Sequence, residues 1–191
     1  MFSAQTLNQA RDQYKNTTER WKPRNTQKAG IDSYWKEEEY LLNNLPQKFQ
    51  SDGCVTTTSD FKSVIKWVRA GLWESQFGSI QNYQVKMATS QAFSSNMSSA
   101  ADRVKRLYNQ DGLGINTATA LLMFWRPDEF SVMTKPAILS LIRQGLWDGQ
   151  STPNIEEYDE YLKVCRDIAN QTNLSLRDVD RALVALESTQ F

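Results

Sequence analysis

The 191-residue chain predicts an all-α protein, on three observations. Apolar residues recur at helical spacing in one segment after another. The breakers are few, eight glycines and five prolines, and most fall between those segments. No stretch alternates apolar and polar residues over the length of a strand. The length fits one domain spanning 1–191, with N-terminal helices to about 58. Six Trp, seven Tyr and eight Phe supply the bulk of its core.

The elements follow in order. A polar helix runs from Gln5 to about Arg20, and Trp21-Lys22-Pro23-Arg24 breaks it. Asp32 or Ser33 caps a helix carrying Tyr34, Trp35, Tyr40, Leu41 and Leu45, which Pro46 ends. Residues 51–58 form a loop. Thr58 or Ser59 starts a helix with Phe61, Val64, Ile65 and Val68 on one face, closed by Gly71. A looser helix spans about Ser79 to Phe93, and Ser98 or Ser99 opens another that turns Val104 and Leu107 inward. After a glycine hairpin, an apolar helix runs to Arg126-Pro127, and 128–133 is extended. Thr134 caps a helix to about Gln144, with Lys135 and Pro136 in its first turn. Two more helices span Ile155 to about Asn170 and Ser175 to about Glu187, giving nine or ten in all.

Composition excludes several chemistries. Histidine is absent, so neither a Ser-His-Asp nor a Cys-His mechanism can operate. Cys54 and Cys165 lack metal-ligand spacing and read as reduced, structural thiols, and no metal site is expected. No apolar run reaches membrane-spanning length, and the first residues lack a signal pattern, so a cytoplasmic protein without a membrane partner is expected. Lys plus Arg and Asp plus Glu are each 22. That balance argues against strong non-specific DNA binding but leaves room for a local basic face.

The segment from Leu107 to Leu122 reads as helix, hairpin, helix, the turn being Gly112-Leu113-Gly114. Two glycines let the chain turn sharply and bare its amides, while Leu113 anchors the turn in the core. Small Ala118 lets the second helix approach the first. Bare N–H groups at a helix start suit a nucleic-acid phosphate.

The order hairpin, second helix, Pro-Asp loop and next helix start resembles the helix-hairpin-helix DNA glycosylase superfamily, particularly small bacterial members. The residues are Gly112-Leu113-Gly114, Thr117-Ala118 and Pro127-Asp128-Glu129-Phe130-Ser131-Val132-Met133-Thr134. Phe61, Val64 and Trp67 upstream and the stretch Ser175 to Leu183 are also similar, so the resemblance covers about 59–186. It implies a glycosylase-like fold of two helical lobes with a cleft, binding double-stranded DNA. It also implies phosphate contacts at Gly112, Gly114, Asn116, Lys105 and Arg106, and a base pocket beside Trp125. The hairpin allows a monovalent cation, and no other cofactor is implied. Gln76 and Gln81 fall where the family probes the opposite strand.

The chain departs from that pattern where the family does chemistry. Asn116 stands at the position of the Schiff-base lysine and Thr134 at that of the carboxylate, so neither nucleophile nor anion is retained. Thr134 itself, Lys135 beside it, and Asp128 and Glu129 are the catalytic candidates: Lys135 reads more readily as a solvated or phosphate-facing charge, and Asp128 and Glu129 as a loop turn after Pro127. Asp111 and Gln110 replace residues that are commonly Pro and apolar, and Asp111 would repel a phosphate.

Arg103, Lys105, Arg106, Arg126 and Lys135 could rim a DNA backbone or simply be solvated. Trp67, Trp73, Trp125 and Trp147 read as core, or as a platform for a flipped base. Lys36-Glu37-Glu38-Glu39 reads as an exposed helix turn, and Glu156, Glu157, Asp159 and Glu160 as an acidic patch at a helix start. Residues 69–76 echo 143–150, which reads as a shared helix C-cap. Three functions follow. One is DNA binding on this scaffold without the usual excision. Another is a monofunctional glycosylase with a displaced acid. The third is a module whose partner is a protein.

Overall fold

A computed structural model of the chain describes residues 2–25, 30–69, 77–109 and 113–188. Among them are nine α-helices, one short 3-10 turn and no strand. The helices are α1 (Ala4–Thr18), α2 (Tyr34–Asp52), α3 (Thr58–Val68), α4 (Asn82–Phe93), α5 (Ala100–Tyr108), α6 (Ile115–Trp125), α7 (Lys135–Arg143), α8 (Tyr158–Thr172) and α9 (Leu176–Ser188).

Side chains close most helix starts: Ser33, Ser99 and Thr134 are caps the sequence implies, whereas α3 is capped by Thr57, with Thr58 and Ser59 already inside the helix. Ser3, Ser33, Thr57, Ser99 and Thr134 each accept from an amide in the first turn of the helix that follows. Ser175 accepts from the Asp178 amide. Gln81 caps α4 reciprocally with Gln84, which gives it a local backbone role.

Some boundaries differ from expectation. α2 does not stop at Pro46: the proline lies inside it, and the helix runs to Gly53 in the left-handed conformation. A proline within a helix costs about 3 kcal/mol. Here Leu41, Leu45 and Phe49 continue one buried stripe across it, and burying Phe49 alone offsets about 1.5–3 kcal/mol. α3 ends at Val68, and Gly71 lies outside the described residues. α4 begins at Asn82 rather than near Ser79, and a 3-10 turn over Ile155–Glu157 precedes α8. Gly145, at φ +66°, closes α7 with Leu146 bonding back to Leu141, and Trp147 folds under against Tyr161. That is the C-cap expected of 143–150; most of its echo in 69–76 is not described.

The helices form two groups. α6, buried from Thr117 to Trp125, packs on α2, α3 and α5, with α4 against α5. α9 packs on α1, α7 and α8. Residues 130–133, before α7, lie buried between them and are held by side chains from both groups. Ser131 and Val132 carbonyls accept from the Tyr158 and Tyr161 hydroxyls at 2.8 and 3.1 Å, and the Met133 amide donates to Thr119 at 3.2 Å. Cys54 and Cys165 are buried free thiols, and burial raises the pKa of both. Among the described residues no helix is long and apolar enough to cross a membrane.

Candidate functional site

Between the two groups lies a cavity of about 340 Å³. α1 contributes Tyr14 and Thr17, α3 contributes Trp67, and α9 contributes Arg177 and Asp180. Asn116, in the first turn of α6, and Thr134, the cap of α7, line the same cavity. Two helix starts that are far apart in sequence therefore converge on one space.

The α9 wall is charged and fully engaged. Glu38, with no exposed surface, accepts from Arg177 at 2.8 and 3.1 Å, from Arg181 at 2.7 Å and from the Tyr14 hydroxyl at 2.9 Å. Burial pushes the Glu38 carboxyl up, but the two guanidiniums outweigh it and hold it below its ordinary value. Asp180 accepts from the Val132 amide at 3.0 Å, from Arg177 at 3.3 Å and from the Ser131 hydroxyl. Burial raises the Asp180 pKa, and these donors only partly oppose it. Arg177 also lies over the Trp67 ring at 5.2 Å. Trp67 stacks on Tyr34 at 5.9 Å and meets Phe124 edge-on at 5.0 Å. Its indole N–H is buried with no hydrogen-bond partner among the described residues.

Sequence reasoning missed this network. The Lys36–Glu39 turn is not an exposed one: Glu37 and Glu38 are buried, because each serves a partner from a distant segment. A signal was present. Arg177, Asp180 and Arg181 sit at i, i+3 and i+4 beside Val184, so charge and apolar residues share one helix face.

The other candidates fall elsewhere. Trp125 does not line the cavity; it is buried against Phe93 at 4.6 Å and Phe130 at 5.7 Å, with Arg126 over its ring at 4.6 Å. The tryptophans of the cavity are Trp21 and Trp67 instead, and Trp147 packs on Tyr161. Lys135, Asp128 and Glu129 are exposed and absent from the lining; Glu129 pairs with Arg126 at 2.6 Å. Lys105 and Arg106 are exposed on α5, with Lys105 4.0 Å from Glu156. Arg103 instead caps the α4 end, donating to the Ala92 and Ser94 carbonyls at 2.6 and 2.7 Å. Of the acidic patch, Asp159 accepts from the Ala100 amide at 2.8 Å and Glu157 from that of Gln150 at 3.2 Å. Leu113 is buried as the hairpin anchor should be, and Gly114 is exposed at the start of α6 without a side-chain cap. Gly112, Asp111, Gln110, Trp73 and Gln76 lie outside the described residues.

No group of His, Cys, Asp or Glu suited to a metal occurs among the described residues. Comparison of the chain with family models, with curated proteins and with solved structures gives no match.

Proposed function

We propose that this is a DNA-binding protein built on a helix-hairpin-helix glycosylase-like scaffold, which does not excise bases by the usual route. One observation carries the reading. Asn116 and Thr134, matched to the family's two chemical positions from sequence alone, line the same cavity between two helix groups. Two helical lobes with a cleft is the architecture that the resemblance implies, and α6 with its neighbours and α9 with its neighbours are the two lobes of this reading.

In this reading the DNA backbone lies along the start of α6. The amides of Gly114 and Asn116 meet a phosphate, with Lys105 and Arg106 beside them. Thr134 uses its hydroxyl to cap α7, accepting from the Ala137 amide at 3.3 Å, and supplies no negative charge. The test is fluorescence-anisotropy titration against paired, abasic-site and single-stranded DNA. Gly114→Glu should abolish binding. A Cβ at Gly114 meets nothing within 4 Å, so the loss would report on the phosphate and not on the fold.

The second reading, a monofunctional glycosylase with a displaced acid, also has an observation in its favour. Among the described residues Asp180 supplies the one carboxylate of the cavity lining. Thr134→Asp is the gain-of-function experiment: base release from damaged or modified duplexes should rise if the cavity is a dormant excision site.

A further inference from the structure

Arg24 and Asn25, in the chain that follows α1, are tied down by a buried carboxylate. Glu37 is 1 % exposed, and its carboxylate accepts from the Arg24 amide at 2.6 Å, from the Asn25 amide at 3.1 Å and from the Asn25 side chain. Arg24 in turn donates to the Trp67 carbonyl at 2.6 Å and to that of Val68, closing the end of α3, and lies over the Tyr34 ring at 4.8 Å. The Tyr34 amide donates to the Trp21 carbonyl at 2.8 Å. A buried carboxylate is costly unless it is well bonded. Here its bonds go to the segment that holds Trp21.

Trp21 is 49 % exposed, yet it lines the cavity. Its inner side is backed by Tyr34 at 6.0 Å and 58°. Among the described residues the other large exposed apolar side chains, Tyr83, Met87 and Tyr108, lie on α4 and α5 and are not part of the lining. A half-exposed indole beside a cavity, in contact with a second ring, offers a planar group a stacking surface. The ordering entropy is already met by folding. Gln13, Thr17, Asn116 and Thr134 in the same lining supply polar partners for a ring edge.

We infer that Trp21 is a stacking platform at the cavity mouth for a planar heteroaromatic ring, namely an unstacked base of a nucleic-acid strand. The inference rests on the DNA reading above, but uses a residue outside the segment that carries the resemblance. Base–aromatic stacking needs only a π-face, so the platform accepts any base.

The test uses the full chain and three probes: a paired duplex, the same duplex with one unpaired adenine, and free adenosine. Wild type should prefer the unpaired-base duplex. Trp21→Ala should weaken that complex about tenfold and leave the paired duplex within about twofold. Trp21→Phe should keep most of the preference, and should lose the part of the fluorescence quenching that Trp21 contributes. If wild type binds DNA in a Gly114-dependent way and Trp21→Ala changes nothing, the platform falls and the DNA reading stands. If adenosine binds through Trp21 as tightly as the unpaired-base duplex, the ring is a free one and the strand assignment falls. If no probe binds, the DNA reading falls and the platform with it.

Discussion

The two walls of the cavity are built on opposite principles. On the α9 wall, Arg177 and Asp180 are buried and bonded within the protein, joined to Glu38 and Arg181. On the other side, Asn116 is exposed and Thr134 offers an uncharged hydroxyl, and Gly114, exposed as well, lies outside the lining at the start of the same helix as Asn116. The first wall joins α2 to α9 across the two helix groups. The second leaves polar groups at helix starts, where a ligand can replace water. The difference teaches that the most charged part of this site is bonded within the fold, while its least charged part is the part that the DNA reading assigns to a phosphate.

Substitutions should separate the walls. The largest effect is expected at Glu38. Glu38→Gln strips two buried guanidiniums of their common partner and should lower unfolding free energy by about 3–5 kcal/mol, read from urea denaturation. Gly114→Glu should shift stability by less than about 0.5 kcal/mol in the same assay, since the site is exposed and open. A stable Glu38→Gln protein would mean that the charged wall is not what ties the groups together.

Acid should tell the same story. The folded-state pKa of Glu38 is depressed, so its contribution is complete above the ordinary carboxylate range and is lost as pH falls through the depressed value. Asp180 is raised and opposes this, taking up its proton first as pH falls. A wild-type acid unfolding curve should therefore steepen below the ordinary carboxylate range, and Glu38→Gln should remove that part of it.

At Thr134 the expected effect is smaller. Thr134→Ala removes a cap and should destabilise by about 1 kcal/mol, whereas Thr134→Asp, also a good cap, should stay within a few tenths. Thermal unfolding of the pair distinguishes a capping hydroxyl from one with no structural duty. Smallest for the fold are Arg106→Ala and Lys135→Ala, which should leave unfolding unchanged. If these side chains lie against a DNA backbone, each lowers the salt dependence of binding by about one charge.

Much of the fold was legible because it rests on local rules. The caps at Ser33, Ser99 and Thr134 and the end of α6 at Arg126 follow from residues adjacent to the boundary. Pro46 was misread because burial of Phe49, a tertiary matter, overrides the proline's local preference. The site was legible only in its two polar helix starts. Glu38 could not be recognised as buried from a Lys-Glu-Glu-Glu run, since its partners Arg177 and Arg181 are far along the chain. Trp125 looked like a pocket residue because it ends an apolar helix, but Phe93, Phe130 and Arg126 pack against its ring. Trp21 gave no signal, because its place at the cavity mouth depends on how Glu37 holds Arg24 and Asn25.

The measurement that bears most directly on the account is an anisotropy titration of wild type and Gly114→Glu against abasic-site duplex DNA at two salt concentrations. The account predicts micromolar or tighter binding that weakens with salt and is lost in the variant. Absence of binding at low salt, or equal binding by the variant, would contradict it and turn the search toward a protein partner.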